Sequence, residues 1–171
     1  IYDTLLEKDG QEFIYFPIYN YTDLSFDNVL TMMKHPQALI GLSDGGAHVG
    51  TVCDASFPSY LLSYWTRDRE RGEKIPRERA IQMLTSDIAD YVGMKDRGRI
   101  EVGKKADINV IDMDALRLHA PHMVKDLPGG GQRLLQEASG YRATLVSGVP
   151  VIRDGKLQSA RPGRLVRMGQ A

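Results

Sequence analysis

Apolar and polar positions along this chain change character at about residue 94, from helix-like spacing alternating with short strand-like runs to short strands separated by turn signals. Ile1-Tyr2-Asp3-Thr4-Leu5-Leu6-Glu7 has the spacing of the last turns of an amphipathic helix with no cap before it, so the chain is expected to begin partway through a larger protein. Phe13-Ile14-Tyr15-Phe16-Pro17-Ile18-Tyr19 concentrates aromatic and β-branched residues, which predicts a strand that Pro17 ends or bends. Ser25 or Asp27 caps a predicted helix to about Lys34, with Val29, Leu30 and Met33 on one face. His35-Pro36 stops it, because a residue before proline is pushed out of the helical region. The apolar run Ala38-Leu39-Ile40-Gly41-Leu42 is too short for a helix and predicts a buried strand. Strand, helix, strand within about thirty residues is a βαβ unit, which implies a parallel sheet.

Phe57, Tyr60, Leu61, Tyr64 and Trp65 recur at three- and four-residue spacing, which predicts a helix from a Ser56 cap to about Arg71. Arg67-Asp68-Arg69-Glu70-Arg71 reads as its solvated, mixed-charge end, with Gly72 as the stop. Pro76 suits the first turn of a helix to Leu84, and Thr85 or Ser86 caps a shorter one closed by Gly93. Beyond Met94 the pattern changes. Residues 98–112 predict two short strands around a glycine turn, and 115–140 an irregular stretch with one helical turn near 133–138. Tyr141 to Ile152 alternates, and Val151-Ile152-Arg153-Asp154-Gly155-Lys156-Leu157 reads as a hairpin around Asp-Gly. The expected fold class is therefore α/β, with helical and strand units over 1–94 and a β module over 95–171.

Composition narrows the function classes. At 171 residues with 42% apolar content, the chain has an ordinary globular composition, and no run reaches the ~20 apolar residues of a membrane span. Twenty-two basic residues balance 22 acidic ones, so neither nucleic acid nor a membrane surface is an expected partner. One cysteine, Cys53, leaves no internal disulfide and fits a reducing, cytoplasmic setting.

The chemistry concentrates where the predicted 38–42 strand ends, at Ser43-Asp44-Gly45-Gly46-Ala47-His48. In α/β sheets and barrels the reactive groups sit at the carboxyl ends of strands, which is where Asp44 falls. Asp-Gly is also a common turn dipeptide, so a plain turn remains the alternative. The remaining histidines offer little. His35 reads as a surface helix end, and Ala-Pro between His119 and His122 removes the helical spacing that aims two imidazoles at one metal. No His-x-His pair exists, so these residues alone assemble no complete metal site. Cys53 has no basic neighbour to activate a thiolate. Gly129-Gly130-Gly131 does not follow a strand as a dinucleotide fingerprint does.

Two motifs together resemble the amidohydrolase superfamily: Ser43-Asp44 in Gly41-Leu42-Ser43-Asp44-Gly45-Gly46-Ala47-His48, and Gly98-Arg99-Ile100-Glu101-Val102-Gly103-Lys104-Lys105-Ala106-Asp107-Ile108. The second is similar to that superfamily's G-x-I-x-x-G-x-x-A-D-hydrophobic signature. Asp126-Leu127-Pro128-Gly129-Gly130-Gly131-Gln132-Arg133-Leu134, Gly140-Tyr141-Arg142-Ala143-Thr144 and Arg161-Pro162-Gly163-Arg164-Leu165-Val166-Arg167 look like the N-acyl-D-amino-acid deacylase branch. The resemblance runs from about Phe13 to Arg167 and corresponds to the C-terminal third of a full-length member. It implies the last units of a zinc-binding (β/α)8 barrel followed by part of a small β-sandwich. It implies further that Asp44 is the general base toward zinc-activated water, and a metal ligand only with ligands absent from this chain. His48 is a candidate substrate-binding neighbour. One departure bears on the substrate: relatives carry an Arg about ten residues after the catalytic Asp, and Cys53-Asp54-Ala55-Ser56-Phe57-Pro58 has none.

Hydrolysis of a linear amide, an N-acyl-D-amino-acid-like small molecule, is the leading expectation. A cyclic-amide hydrolase of the same superfamily and a non-catalytic fold or assembly module stand as alternatives. Barrel strands at 13–19 and 38–44 without all their neighbours leave open edges, so self-association through those edges is expected.

Overall fold

A computed structural model of the chain describes residues 1–15, 19–21, 23–41 and 43–167. Five α-helical elements precede eight short strands: α1 Tyr2–Gly10, α2 Asp27–Lys34, α3 Phe57–Tyr60, α4 Arg77–Leu84 and α5 Ser86–Tyr91. None among the described residues is long and apolar enough to cross a membrane. α1 keeps helical geometry only to about Leu6, since Glu7, Lys8 and Asp9 depart from it. α2 ends as proline dictates, with His35 extended at its C-cap. A 3-10 turn, Asp54–Ser56, leads into α3, and α3 runs on into a π-helical segment, Leu61–Asp68.

Leu61, Tyr64 and Trp65 of the aromatic stripe behave as core, whereas Tyr60 is exposed. Leu61, Leu62 and Trp65 are buried with Leu30 of α2, Ile75, and Ala80 and Met83 of α4, while Phe26, Val29, Met33 and Tyr64 pack around them. The charge run after it is solvated at Asp68, Glu70 and Arg71 but not at its two other positions. Arg69 is 1% exposed, its guanidinium stacked 4.6 Å from the Trp65 ring and paired with Asp27. Gly72, at φ +89°, leaves the space that this pair fills. Arg67 donates to the carbonyls of Met113 and, at 2.6 Å, Leu116. Long stems with planar, weakly hydrated heads let both arginines enter the interior where lysines would stay outside.

All strand pairs among the described residues are antiparallel. The strands are β1 Ile108–Ile111, β2 Arg117–Leu118, β3 His122–Val124, β4 Arg133–Leu135, β5 Ala138–Ser139, β6 Tyr141–Val146, β7 Val149–Arg153 and β8 Lys156–Leu157. They form one four-stranded sheet, β1-β6-β7-β8, and two ribbons, β2-β5 and β3-β4. The Asp154-Gly155 turn joins β7 to β8 with φ +47° and +73°, the mirror-type turn that matches strand twist. Pro150 sits opposite Leu145 beside a register shift, where a missing N–H is tolerated. Leu116, fully buried, and the half-buried Ile111, Met113 and Tyr141 join this β region to the helical core.

Four expectations change. Residues 38–41 form no strand: no described segment offers a parallel partner, and an extended segment without one leaves its backbone donors and acceptors to water. Of the predicted strand at 13–19, residues 13–15 and 19 are not in a strand either, and 16–18 lie outside the described residues, as does Leu42. Only the second of the two strands expected in 98–112 forms, and the helical turn expected near 133–138 is replaced by β4 and β5. The fold is thus a mixture of helix and sheet, with the sheets in its second half.

The G-x-I-x-x-G-x-x-A-D stretch owes its residue types to packing. Gly98, at φ +86°, lies so close to α5 that a Cβ there would stand 2.5 Å from the Ala89 Cβ. Gly103, at φ +89°, has open space around it and is needed only for its backbone angle. The Ala106 carbonyl accepts the Gly148 N–H at 2.9 Å. Asp107 accepts the Ser147 N–H at 2.8 Å and pairs with Arg97 at 3.0 Å. The motif therefore clamps the β6–β7 turn against the end of α5.

Candidate functional site

Ser43 to Val52 is a loop built from turns. Ser43 Oγ accepts the Gly45 N–H at 3.2 Å, and the Asp44 carbonyl accepts the Ala47 N–H at 3.0 Å. Asp44, Gly46 and His48 all have left-handed φ, +53°, +96° and +49°. An aspartate tolerates that region better than most residues, and its cost to a non-glycine side chain is about 1 kcal/mol or more. The His48 carbonyl then accepts N–H groups from Thr51, at 2.7 Å, and Val52, at 3.1 Å, with the Thr51 hydroxyl also at 3.1 Å.

The loop is held from two sides. Gly45 presses on the 3-10 turn, since a Cβ there would stand 2.8 Å from the Ala55 Cβ. On the other side Leu134 of β4 donates its N–H to the Val49 carbonyl at 2.7 Å. Two side-chain bonds continue the seam: Ser56 Oγ to Gln136 Oε1 at 2.5 Å, and Ser59 with the Tyr141 hydroxyl at 2.7 Å. The loop that carries Asp44 is in this way fastened to the β region, Val49 to Leu134, far along the chain.

Cavities lie on either side of Asp44 in the sequence. Ile40 and Gly41 line one of about 680 Å³, otherwise walled by Phe57, Leu62, Leu84 and Ile108. Gly45 and Gly46 line another of about 360 Å³, shared with Cys53, Ser56, Arg133 and Gln136. Asp44 and His48 are both exposed. No side-chain hydrogen bond or ion pair joins them among the described residues, so Asp44 is a solvent-facing carboxylate with no polar contact to His48. Cys53 is half-buried, and burial, with Asp54 beside it, pushes its thiol above the ordinary range, which keeps it neutral.

The other candidates lie apart. His35 is exposed at the end of α2, where its Nδ1 accepts the Gln37 N–H at 3.2 Å. His119 and His122 are exposed around the start of β3. Among the described residues no three His, Cys, Asp or Glu side chains stand together in a way that could hold a metal ion. Asp44 can supply at most one ligand, so the residues of this chain do not fit a metal by themselves.

The sequence reading missed the β3–β4 hairpin as part of this site. Its signal was present, since Asp126 and Arg133 flank Pro128-Gly129-Gly130-Gly131 symmetrically. In the fold they meet in a two-pronged ion pair, Nε to Oδ1 at 2.8 Å and Nη2 to Oδ2 at 2.6 Å. That pair holds the Asp126 carboxyl below the usual carboxylate range and raises Arg133.

Comparison with curated proteins and with solved structures finds no match. Comparison with known families does: residues 15–152 match the amidohydrolase family, whose members are typically metal-dependent. The match takes in both the Asp44 loop and the glycine motif that clamps α5 to the β region, and it covers most of the chain; this protein belongs to the amidohydrolase family.

Proposed function

We propose that the chain is the C-terminal part of a zinc-dependent amidohydrolase of the N-acyl-D-amino-acid deacylase branch, acting on a linear amide. In this reading residues 1–94 contribute the last units of a (β/α)8 barrel and 95–171 a segment of its β-sandwich. The observation that carries it is the position of Asp44: a lone carboxylate on a pinned, left-handed turn, with a cavity lined by the residues before it and another by the residues after it.

The Asp44 carboxylate takes a proton from the water that attacks the amide carbonyl carbon. It then returns that proton to the departing amine nitrogen as the C–N bond breaks, leaving an acid and an amine. Zinc, when bound, would make the attacking water acidic enough for a carboxylate to accept its proton. His48 stands four residues on, where it contacts the part of the substrate that projects from the loop. Zinc in this reading is held by ligands outside this chain, with Asp44 as its one ligand here. The partners are a small-molecule amide and a second copy of the chain, the latter through apolar side chains exposed near the N-terminus, Phe13, Ile14, Tyr15 and Tyr19.

The test is Asp44→Asn in the full-length enzyme, with acylated D- and L-amino acids and cyclic amides as substrates. Turnover should fall by about 10²–10⁴-fold, the size of a general-base contribution, with zinc content by elemental analysis unchanged. Near-normal turnover removes Asp44 from this role. Turnover confined to cyclic amides replaces the linear substrate with a ring.

A further inference from the structure

The smaller cavity beside the Asp44 loop has one charged residue among those lining it, Arg133, and among the described residues only Nε and Nη2 of that guanidinium are engaged. A guanidinium presents two paired-donor edges to a carboxylate: a side-on edge, Nε with one Nη, and an end-on edge, formed by the two Nη groups. Asp126 occupies the side-on edge through Nε and Nη2. Nη1 makes no hydrogen bond among the described residues, so the end-on edge stays available.

Position and access agree with this. Arg133 begins β4, and the next residue, Leu134, is the one whose N–H binds the Val49 carbonyl, so the arginine is tied to the Asp44 loop through a single residue of backbone. Its side chain is 35% exposed, open enough for a ligand to reach. The other polar side chains of the pocket already have partners: Ser56 is bonded to Gln136, whose amide nitrogen donates to the His119 carbonyl at 3.0 Å, and Ser59 is bonded to Tyr141. At about 360 Å³ the space lies at the small end of ligand pockets.

We propose that Arg133 is a specificity-determining residue that takes a carboxylate of the ligand on its end-on edge, with Asp126 as the positioning residue that fixes the guanidinium plane. Arginine does this as a fork, where lysine offers only a point charge. That the ligand is a substrate rests on the reading of Asp44 given above, whereas recognition of its carboxylate is measured by binding alone.

Equilibrium binding of N-acetylleucine, both enantiomers, is compared with that of its neutral amide on the full-length protein. At least one enantiomer of the acid should bind about tenfold or more tighter than its amide, the discrimination expected of a paired, charge-assisted contact. Arg133→Ala should abolish that preference and leave amide binding unchanged, and Arg133→Lys should restore only part of it. Asp126→Asn, which leaves one acceptor in place of two on the side-on edge and so frees the guanidinium plane, should weaken that preference without abolishing it. Should Arg133→Ala fail to fold, Arg133→Lys and Asp126→Asn decide the matter. Equal binding of acid and amide by the unmodified protein, binding of neither, or a preference that survives loss of the guanidinium overturns the proposal. Acid-selective binding without hydrolysis upholds Arg133 and instead sinks the role given to Asp44.

Discussion

Replacing Gly98 and Gly103 by alanine, one at a time, separates two reasons for a glycine within one motif. Both have left-handed φ, +86° and +89°, so each substitution carries a backbone cost of about 1–2 kcal/mol. Only at Gly98 does the new methyl meet anything. It would stand 2.5 Å from the Ala89 Cβ and 3.3 Å from both the Ser86 Cα and the Thr85 carbonyl oxygen. Those atoms belong to α5 and its entry, with no flexible side chain among them, so the helix itself must shift. Forcing a methyl into packed surroundings costs about 1–3 kcal/mol more. Gly98→Ala should therefore lose about 2–5 kcal/mol, and Gly103→Ala only about 1–2.

Urea unfolding followed by the fluorescence of Trp65, the single tryptophan, reads the difference directly. With a slope of about 2 kcal/mol per molar urea, the two midpoints should stand about 1 M apart, Gly98→Ala the lower. Coincident midpoints would refute the close approach of Gly98 to α5. They would leave the motif's two glycines with one shared role.

Asp27→Asn should cost about 1–3 kcal/mol, because it leaves the Arg69 guanidinium, 1% exposed and with Nη1 already lacking a partner, without its counter-ion, while the exposure of Asp27 itself keeps the loss below that of a fully buried pair. A loss under about 1 kcal/mol in the same urea assay would show that the Trp65 ring and the Arg71 carbonyl, which accepts from Nε at 2.7 Å, hold the arginine without it. Acid should weaken the fold through Asp90, Asp96, Asp112 and Asp126, whose carboxyls are held below the ordinary range first by hydrogen bonds from Arg99, Arg97, Arg142 and Arg133. A carboxyl with a folded pKa below its unfolded one stabilises fully above the unfolded value and loses that contribution as pH falls through the folded one. The urea midpoint should thus hold at neutral pH, drop below about pH 4, and drop less steeply in Asp112→Asn. A wild-type midpoint unchanged down to pH 3 would contradict this.

Local chemistry was legible residue by residue. Pro36 ended α2, Pro76 opened α4, Gly93 closed α5, and Asp154-Gly155 turned β7 into β8, because each acts through its own backbone angles and needs no distant partner. The same is true of the aromatic stripe, where spacing alone brings Leu61 and Trp65 to one face. Asp44 stood out for the same local reason, as an acid at the end of an apolar run. The glycine motif named the family because its residue types answer to a close approach and a turn clamp that few other sequences would satisfy.

What the one-dimensional pattern could not decide were matters of partnership. Whether 38–41 is a strand depends on a neighbour to pair with, and apolar character does not supply one. Arg69 looks identical in sequence to its solvated neighbours, and is buried only because Trp65, Asp27 and the bare backbone of Gly72 converge on it from separate segments. Arg133 reaches the Asp44 loop because β4 crosses it and bonds to Val49, a contact spanning 49 to 134 in the chain. Propensity and spacing act over a few residues, whereas burial and pairing depend on which distant segments meet; the sequence by itself therefore determined the turns and the helix ends, and only the tertiary structure decided which segments lie against the loop that carries Asp44.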